Sequence, residues 1–199
     1  MRARWRVEKF GLASCAYKIT FWEDRQMNGN TFIGRRTFVM GIVGGVVAPA
    51  LGQAQMDQVK PSMGALKAEA AKLGTPKING SDAVAGKDVS ALYFGTTKMN
   101  NYFEVVDEVV KEHGGTATLF VKSGNDYVRV ATNVKKDDGS RAVGTVLDPN
   151  GPVFPMIQKG EAYYGDATIL GKPYVTGYEP IRDASGNVIG IYYVGYLKG

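Results

Sequence analysis

One cysteine, one histidine and no long hydrophobic run set the first limits on this 199-residue chain. A lone Cys15 can form neither an internal disulfide nor a cysteine-rich metal site. With His113 as the sole imidazole, a zinc site would need carboxylates for nearly all its ligands. Neither GxxxxGK(S/T) nor GxGxxG separates a strand-like from a helix-like stretch, so phosphate-cradling loops are missing. No serine lies in a nucleophile elbow. These absences leave no recognisable catalytic machinery, and neither enzymatic activity nor a cofactor is expected. Charged residues make up 22% and hydrophobic residues 44%, which excludes a disordered tail or a collagen and allows one core.

The formal net charge of +5 is unevenly placed. Residues 1–54 hold eight basic side chains against Glu8, Glu23 and Asp24, which accounts for the whole excess, and the remainder carries 16 of each sign. A neutral body lacks the basic face that counterion release from a phosphate backbone requires, so no nucleic-acid partner is expected.

The basic end reads as an address. Arg35-Arg36-Thr37-Phe38-Val39-Met40 precedes the weakly apolar Gly41 to Val47 and the small residues Ala48 to Ala54. This is the layout of a signal peptide, and the arginine pair resembles a twin-arginine export signal. Gly34 stands where that signal usually has Ser or Thr, and Met40 where Lys is common. Cleavage is expected after Ala54, with Ala50 as the rival. Thr37 to Leu51 spans 15 residues, about 22 Å of helix. That falls short of a hydrocarbon core of roughly 30 Å. A periplasmic location follows, and the alternative is anchoring to the inner membrane by an uncleaved signal. Residues 1–26 are either a mis-assigned start upstream of Met27 or a long charged n-region.

From Gln55 onward the pattern is that of a small α+β domain. Met63, Leu66, Ala70 and Leu73 predict an amphipathic helix from about Pro61 to Gly74. A Gly- and polar-rich link is expected over 75–87. A second helix follows over 101–113, capped by Asn100 or Asn101 and ended by Gly114-Gly115, with His113 in its last turn. The period then changes to two. Strands are predicted over 116–121, 127–134, 163–170, 174–181 and 188–196, and a short helix over 152–158. Five strands joined mostly by hairpins imply an antiparallel sheet with helices on one face.

Ten of the eleven tyrosines follow residue 54, most of them in the last third. Alternation puts Tyr174, Thr176 and Tyr178 on one face of their strand, Ile191 and Tyr193 together on the next, and Tyr127, Arg129 and Ala131 together on the second. An arginine between Val128 and Val130 is half buried and needs a partner. A bound carboxylate beside tyrosine hydroxyls would satisfy it. Pairing with Asp126, Glu161 or Asp166 would do so equally, and the tyrosines can simply fit a pleated surface. Arg141 is a second candidate anion ligand, with loop solvation as the alternative.

Gly160-Glu161-Ala162-Tyr163-Tyr164-Gly165, then Ile169 to Tyr174, Tyr178-Glu179-Pro180-Ile181 and Gly186 to Gly195, closely resemble the single Cache domain of chemoreceptors and sensor kinases. Phe120-Val121, Tyr127 to Val134 and Asp138 to Thr145 resemble the subgroup that fuses Cache type 3 and type 2 features. The resemblance implies a PAS-like five-stranded sheet with a long N-terminal helix and a second helix packed on it. It also implies a pocket for a small metabolite, in most relatives an organic acid. Carried onto this chain, the pocket would use Arg129, Tyr174, Thr176, Tyr178 and Tyr193, with Tyr163, Tyr164 and Arg141 in motifs beside it. The expected organisation is an extension over 1–26, an export signal over 27–54, helix and linker over 55–90, and the Cache domain over 91–199. The expected role is periplasmic sensing or binding of a small carboxylate metabolite. Its partner would be a membrane receptor or sensor kinase, in a chemotaxis-like signalling chain, and the protein could form a homodimer. The competing expectation is a structural or interaction module whose pocket is closed by its own side chains.

Overall fold

The computed structural model describes the backbone of residues 51–198 and of four strands within 4–32, with side chains described from residue 55 onward. The chain divides into two units, 1–48 and 49–199. In the first, β1 (Arg4–Phe10) pairs antiparallel with β2 (Ala16–Trp22), and β3 (Arg25–Met27) with β4 (Asn30–Phe32). The twin-arginine stretch over 35–50 lies outside the described residues.

The second unit starts with α1 (Leu51–Lys72), ten residues ahead of the expected start at Pro61. Proline suits a first turn, which is why the pattern pointed there. Here Pro61 sits inside the helix, and Ser62 Oγ donates to Gln58 O at 2.9 Å one turn back. Val59, fully buried, holds the upstream turn against the core.

The expected link over 75–87 is mostly a strand. β5 (Pro76–Val84) pairs antiparallel with β6 (Lys87–Phe94), which carries the short β7 (Thr97–Lys98) on its other edge. β5 is an edge strand exposed along most of its length, so no alternating apolar signal marks it, and a register shift between Ile78 and Ser81 breaks its period further. Asn100 does not cap the next helix. It is buried beside β6, where its Oδ1 accepts from Leu92 N at 3.0 Å and its Nδ2 donates to Ser90 O at 3.2 Å. Accordingly α2 (Glu104–His113) begins later, after Phe103, with no side-chain cap.

The main sheet contains β8 (Thr116–Ser123), β9 (Asp126–Thr132), β10 (Tyr163–Ile169), β11 (Lys172–Arg182) and β12 (Val188–Leu197), in the antiparallel order β10-β11-β12-β8-β9. The six-residue α3 (Val153–Gln158) precedes β10. The domain is thus α+β, with a five-stranded and a three-stranded antiparallel sheet and three helices, as the PAS-like expectation requires. One sheet face packs on α1 and α2 through Val175, Tyr192, Val194 and Tyr196. The other carries Phe120, Tyr127, Tyr178, Ile191 and Tyr193 beneath Ala142, Leu147, Val153 and Ile157.

Polar ties lock α1 to the first face. Tyr196 Oη lies 2.6 Å from Ser62 Oγ and donates to His113 O at 2.9 Å, joining both helices to β12. Lys67 Nζ donates to Glu179 Oε2 at 2.6 Å, and Tyr164 Oη to Glu179 Oε1 at 2.5 Å. Burial alone would raise the Glu179 carboxyl, but Lys67 and Tyr164 outweigh it and hold the carboxyl below its ordinary 4.5. A carboxyl lowered by folding stabilises the fold above its unfolded pKa, and that contribution is lost as pH falls through the folded value. Between about pH 5 and pH 3 the parent protein should therefore lose more unfolding free energy than Glu179→Gln, as read from urea midpoints at each pH.

Candidate functional site

The sheet face away from α1 and α2 carries an unbroken cross-strand row. Tyr163 pairs with Tyr178, Tyr178 with Tyr193, Tyr193 with Thr118, and Thr118 with Thr132. Three phenols and two threonines thus cross all five strands side by side. The Tyr178 and Tyr193 rings are 4.9 Å apart and tilted by 50°, and the Tyr163 and Tyr178 rings are 6.3 Å apart. The glycine of a second row makes room for this packing, since a Cβ on Gly195 would stand 2.3 Å from Tyr193 Oη. Burial pushes the Tyr178 and Tyr193 hydroxyls far above their ordinary 10.0, so both keep their protons.

Arg129 joins this face from β9. Register there is Leu119 to Ala131 and then Phe120 to Arg129, which leaves Val130 as the extra residue of a bulge. The bulge overturns one expectation of simple alternation. Ala131 points to the helix side with Leu119, and Thr132 takes its place on the side of Arg129, with its Oγ1 2.6 Å from Thr118 Oγ1.

Arg129 is 4% exposed. Segment 144–147 runs along β9 and encloses it. Arg129 N donates to Thr145 O, and Gly144 N to Arg129 O, both at 2.9 Å. Arg129 Nη1 donates to Thr145 Oγ1 at 2.7 Å, and that hydroxyl donates in turn to Ala142 O at 2.8 Å. Arg129 Cζ lies 5.0 Å from the centroid of Phe120. Its Nε is buried with no hydrogen-bond partner among the described residues. Burial lowers the guanidinium pKa, and the ionisable groups that act in the other direction are Tyr178, Tyr193 and Tyr174, none of them a carboxylate. Arginine does not lose its proton in proteins, so Arg129 is a buried cation facing neutral hydroxyls. Asp166, one of the acids expected to pair with it, is taken by Lys198 at 2.6 Å, and Asp126 and Glu161 are exposed.

The remaining candidates divide. Tyr174 is packed at the margin of the same face, and Thr176 is buried with its Oγ1 donating to Gly165 O at 2.8 Å. Tyr164 points the other way, onto α1, where its ring fills the space left by Gly177. Arg141 makes a two-pronged pair with Asp107 at 2.8 Å for each contact, donates to Thr132 O, and lies 4.4 Å over Phe103. It anchors α2 instead of joining Arg129. Thr145 lies in a loop with no periodic signal, Thr132 is turned by the bulge, and Thr118 takes its place in the row only through the pairing of β8 with β12.

Two open grooves lie elsewhere. One, of about 400 Å³, is lined by Lys122, Asn125, Gln158 and Asn187 with Tyr127 in its wall. The other, of about 440 Å³ between α1 and α2, carries Glu69, Glu104, Asp107 and Glu108 against Lys72 and Lys111, which suits no anion. Among the described residues no group of three or more His, Cys, Asp or Glu is placed to hold a metal, and no helix is long and apolar enough to cross a membrane.

Residues 48–198 match the Cache 3/Cache 2 fusion domain. The chain belongs to the Cache family. Cache domains are extracellular or periplasmic sensing domains that bind small molecules, and they occur in receptors and sensor kinases. The match takes in α1 and β5 to β7 as well as the main sheet. A comparison with curated proteins finds no match.

A buried cation without a counter-charge costs folding free energy. Arg129→Met keeps the volume and removes the charge, so the ligand-free variant should gain about 1–3 kcal/mol in chemical denaturation. A loss of similar size would instead make Arg129 a structural residue.

Proposed function

We propose that this Cache domain binds a small organic acid whose carboxylate pairs with Arg129, with Tyr178 and Tyr174 as neighbouring donors and Tyr193 packed beside them, its hydroxyl 3.1 Å from Thr116 Oγ1. The observation that carries this reading is the guanidinium itself, buried among neutral hydroxyls with Nε unmatched. A bound carboxylate would supply both the missing charge and the missing acceptor. Thr176 and Tyr163 shape the same face, with their hydroxyls donated to Gly165 O and Asp166 O. Tyr164 and Arg141 are better understood as supports, since each is already spent on a contact with a helix or its partner. The cover over this face is segment 142–158, so entry requires local opening of that segment while the sheet stays intact.

The reading extends to location. The twin-arginine-like stretch would direct export to the periplasm, with cleavage after Ala54. Gln55, the first residue after that cut, ties α1 to β12 by donating its Nε2 to Leu197 O at 2.7 Å. The protein then acts as a non-catalytic binder, read by a membrane receptor or sensor kinase.

A thermal-shift and calorimetry panel of acetate, pyruvate, succinate and citrate at millimolar concentration, with amines as controls, tests this on the full chain. A best-case ligand of four heavy atoms reaches roughly −6 kcal/mol, a Kd of tens of micromolar, so weak saturation by acetate still counts. One acid should saturate and lose its shift in Arg129→Met. No saturation by any acid, with folded and ligand-free protein, would remove the carboxylate reading and leave an interaction module with a closed pocket.

A further inference from the structure

Arginine presents two forks to a planar anion. One is end-on, through Nη1 and Nη2, and the other is side-on, through Nε and Nη2. In this domain they are not equivalent. Nη1 is held by Thr145 Oγ1 at 2.7 Å, and that hydroxyl is itself fixed by Ala142 O. The Thr145 backbone is fixed as well, by the bond from Arg129 N to Thr145 O. Nε is the buried donor with no partner among the described residues. Phe120 lies beside the guanidinium at 5.0 Å and limits its rotation.

We infer that Arg129 receives its carboxylate side-on, one oxygen on Nε and the other on Nη2, and that Thr145 is the positioning residue that reserves this edge. The inference rests on the carboxylate reading above and adds the geometry of recognition and a residue that sets it. Thr145 touches no ligand in this scheme. It occupies the Nη1 end and fixes the guanidinium plane, leaving the Nε edge open to a carboxylate. The charge of Arg129 is then insufficient by itself. Lysine would keep the charge and lose the two-pronged geometry, and an unheld arginine would keep the fork and lose its orientation.

The test uses the full chain labelled with 15N, the acid panel above, and the variants Thr145→Val, Thr145→Ser and Arg129→Lys. The Nε–H resonance of Arg129 is assigned by its disappearance in Arg129→Lys. With the acid that saturates, this resonance should move along the binding isotherm. Thr145→Val should weaken that acid by about tenfold or more, as expected for losing one bond to a charged group. Thr145→Ser should restore affinity to near that of the parent, and Arg129→Lys should bind no better than Thr145→Val. A merely structural role for Thr145 would change unfolding midpoints and leave the Nε–H response intact. If an acid saturates and needs Arg129, yet Nε–H stays still and Thr145→Val binds like the parent, the side-on assignment is overturned while the carboxylate reading stands. If no acid saturates, both fall together.

Discussion

A guanidinium buried on a β-sheet, with no carboxylate partner among the described residues, is the constraint around which this domain is arranged. The ordinary cost of such a group is several kcal/mol unless its protons find acceptors. Here only part of that cost is met inside the protein, by one threonine hydroxyl and the face of Phe120. The surrounding structure keeps Arg129 in this position by means unrelated to its charge. The bulge at Val130 turns β9, and segment 144–147 hydrogen-bonds along its outer edge. A cation held by its backbone and left unpaired at its side chain is poised toward something else.

The sheet serves as a platform with two chemically distinct faces. Toward α1 and α2 it is apolar, and its polar atoms are spent on docking, as in the Tyr196 contacts to Ser62 and His113 and the Glu179 contacts to Lys67 and Tyr164. Toward Arg129 it sets one row of hydroxyls, from Tyr163, Tyr178, Tyr193, Thr118 and Thr132, among apolar side chains such as Phe120 and Ile191. Glycines separate these uses. Gly177 lets the Tyr164 ring and Val59 settle on the helix face, whereas Gly195 lets Tyr193 fold flat along the other. Gly190 serves the sheet itself, because a Cβ there would stand 2.3 Å from the Phe120 carbonyl oxygen.

Much of this was legible in the sequence, and the reasons differ by element. The five strands of the main sheet announced themselves by short runs rich in β-branched and aromatic residues between Gly- and Asp-containing turns. Alternation also put Tyr174, Thr176 and Tyr178 together on one strand and Ile191 with Tyr193 on the next, and the Cache resemblance joined the two sets on one face. Alternation would have separated Tyr163 from Tyr164 had it been applied to them, since neighbours on a strand point to opposite faces. What stayed hidden was whatever broke a period. The bulge at Val130 moved Ala131 and Thr132, and no residue type marks such an insertion. β5 is polar along an exposed edge, so its strand character comes from pairing with β6 and leaves no apolar trace. Arg141 was indistinguishable from Arg129 by composition, and the difference is a long-range one: Asp107 on α2 reaches the first, and among the described residues no acid reaches the second.

The tyrosine row fits recognition better than proton chemistry. Burial drives the Tyr178 and Tyr193 hydroxyls far from the range in which they could give up a proton, and Arg129 acts on them in the opposite direction without overcoming it. Such hydroxyls are reliable donors and poor bases. A donor surface around one fixed cation selects an anion by shape and by acceptor placement. Its occupancy would be felt along β12, because the strand that carries Tyr193 toward Arg129 also carries Tyr192, Val194 and Tyr196 against the two helices. A change in how Tyr193 packs therefore bears on the same strand that Ser62 and His113 hold from the far side.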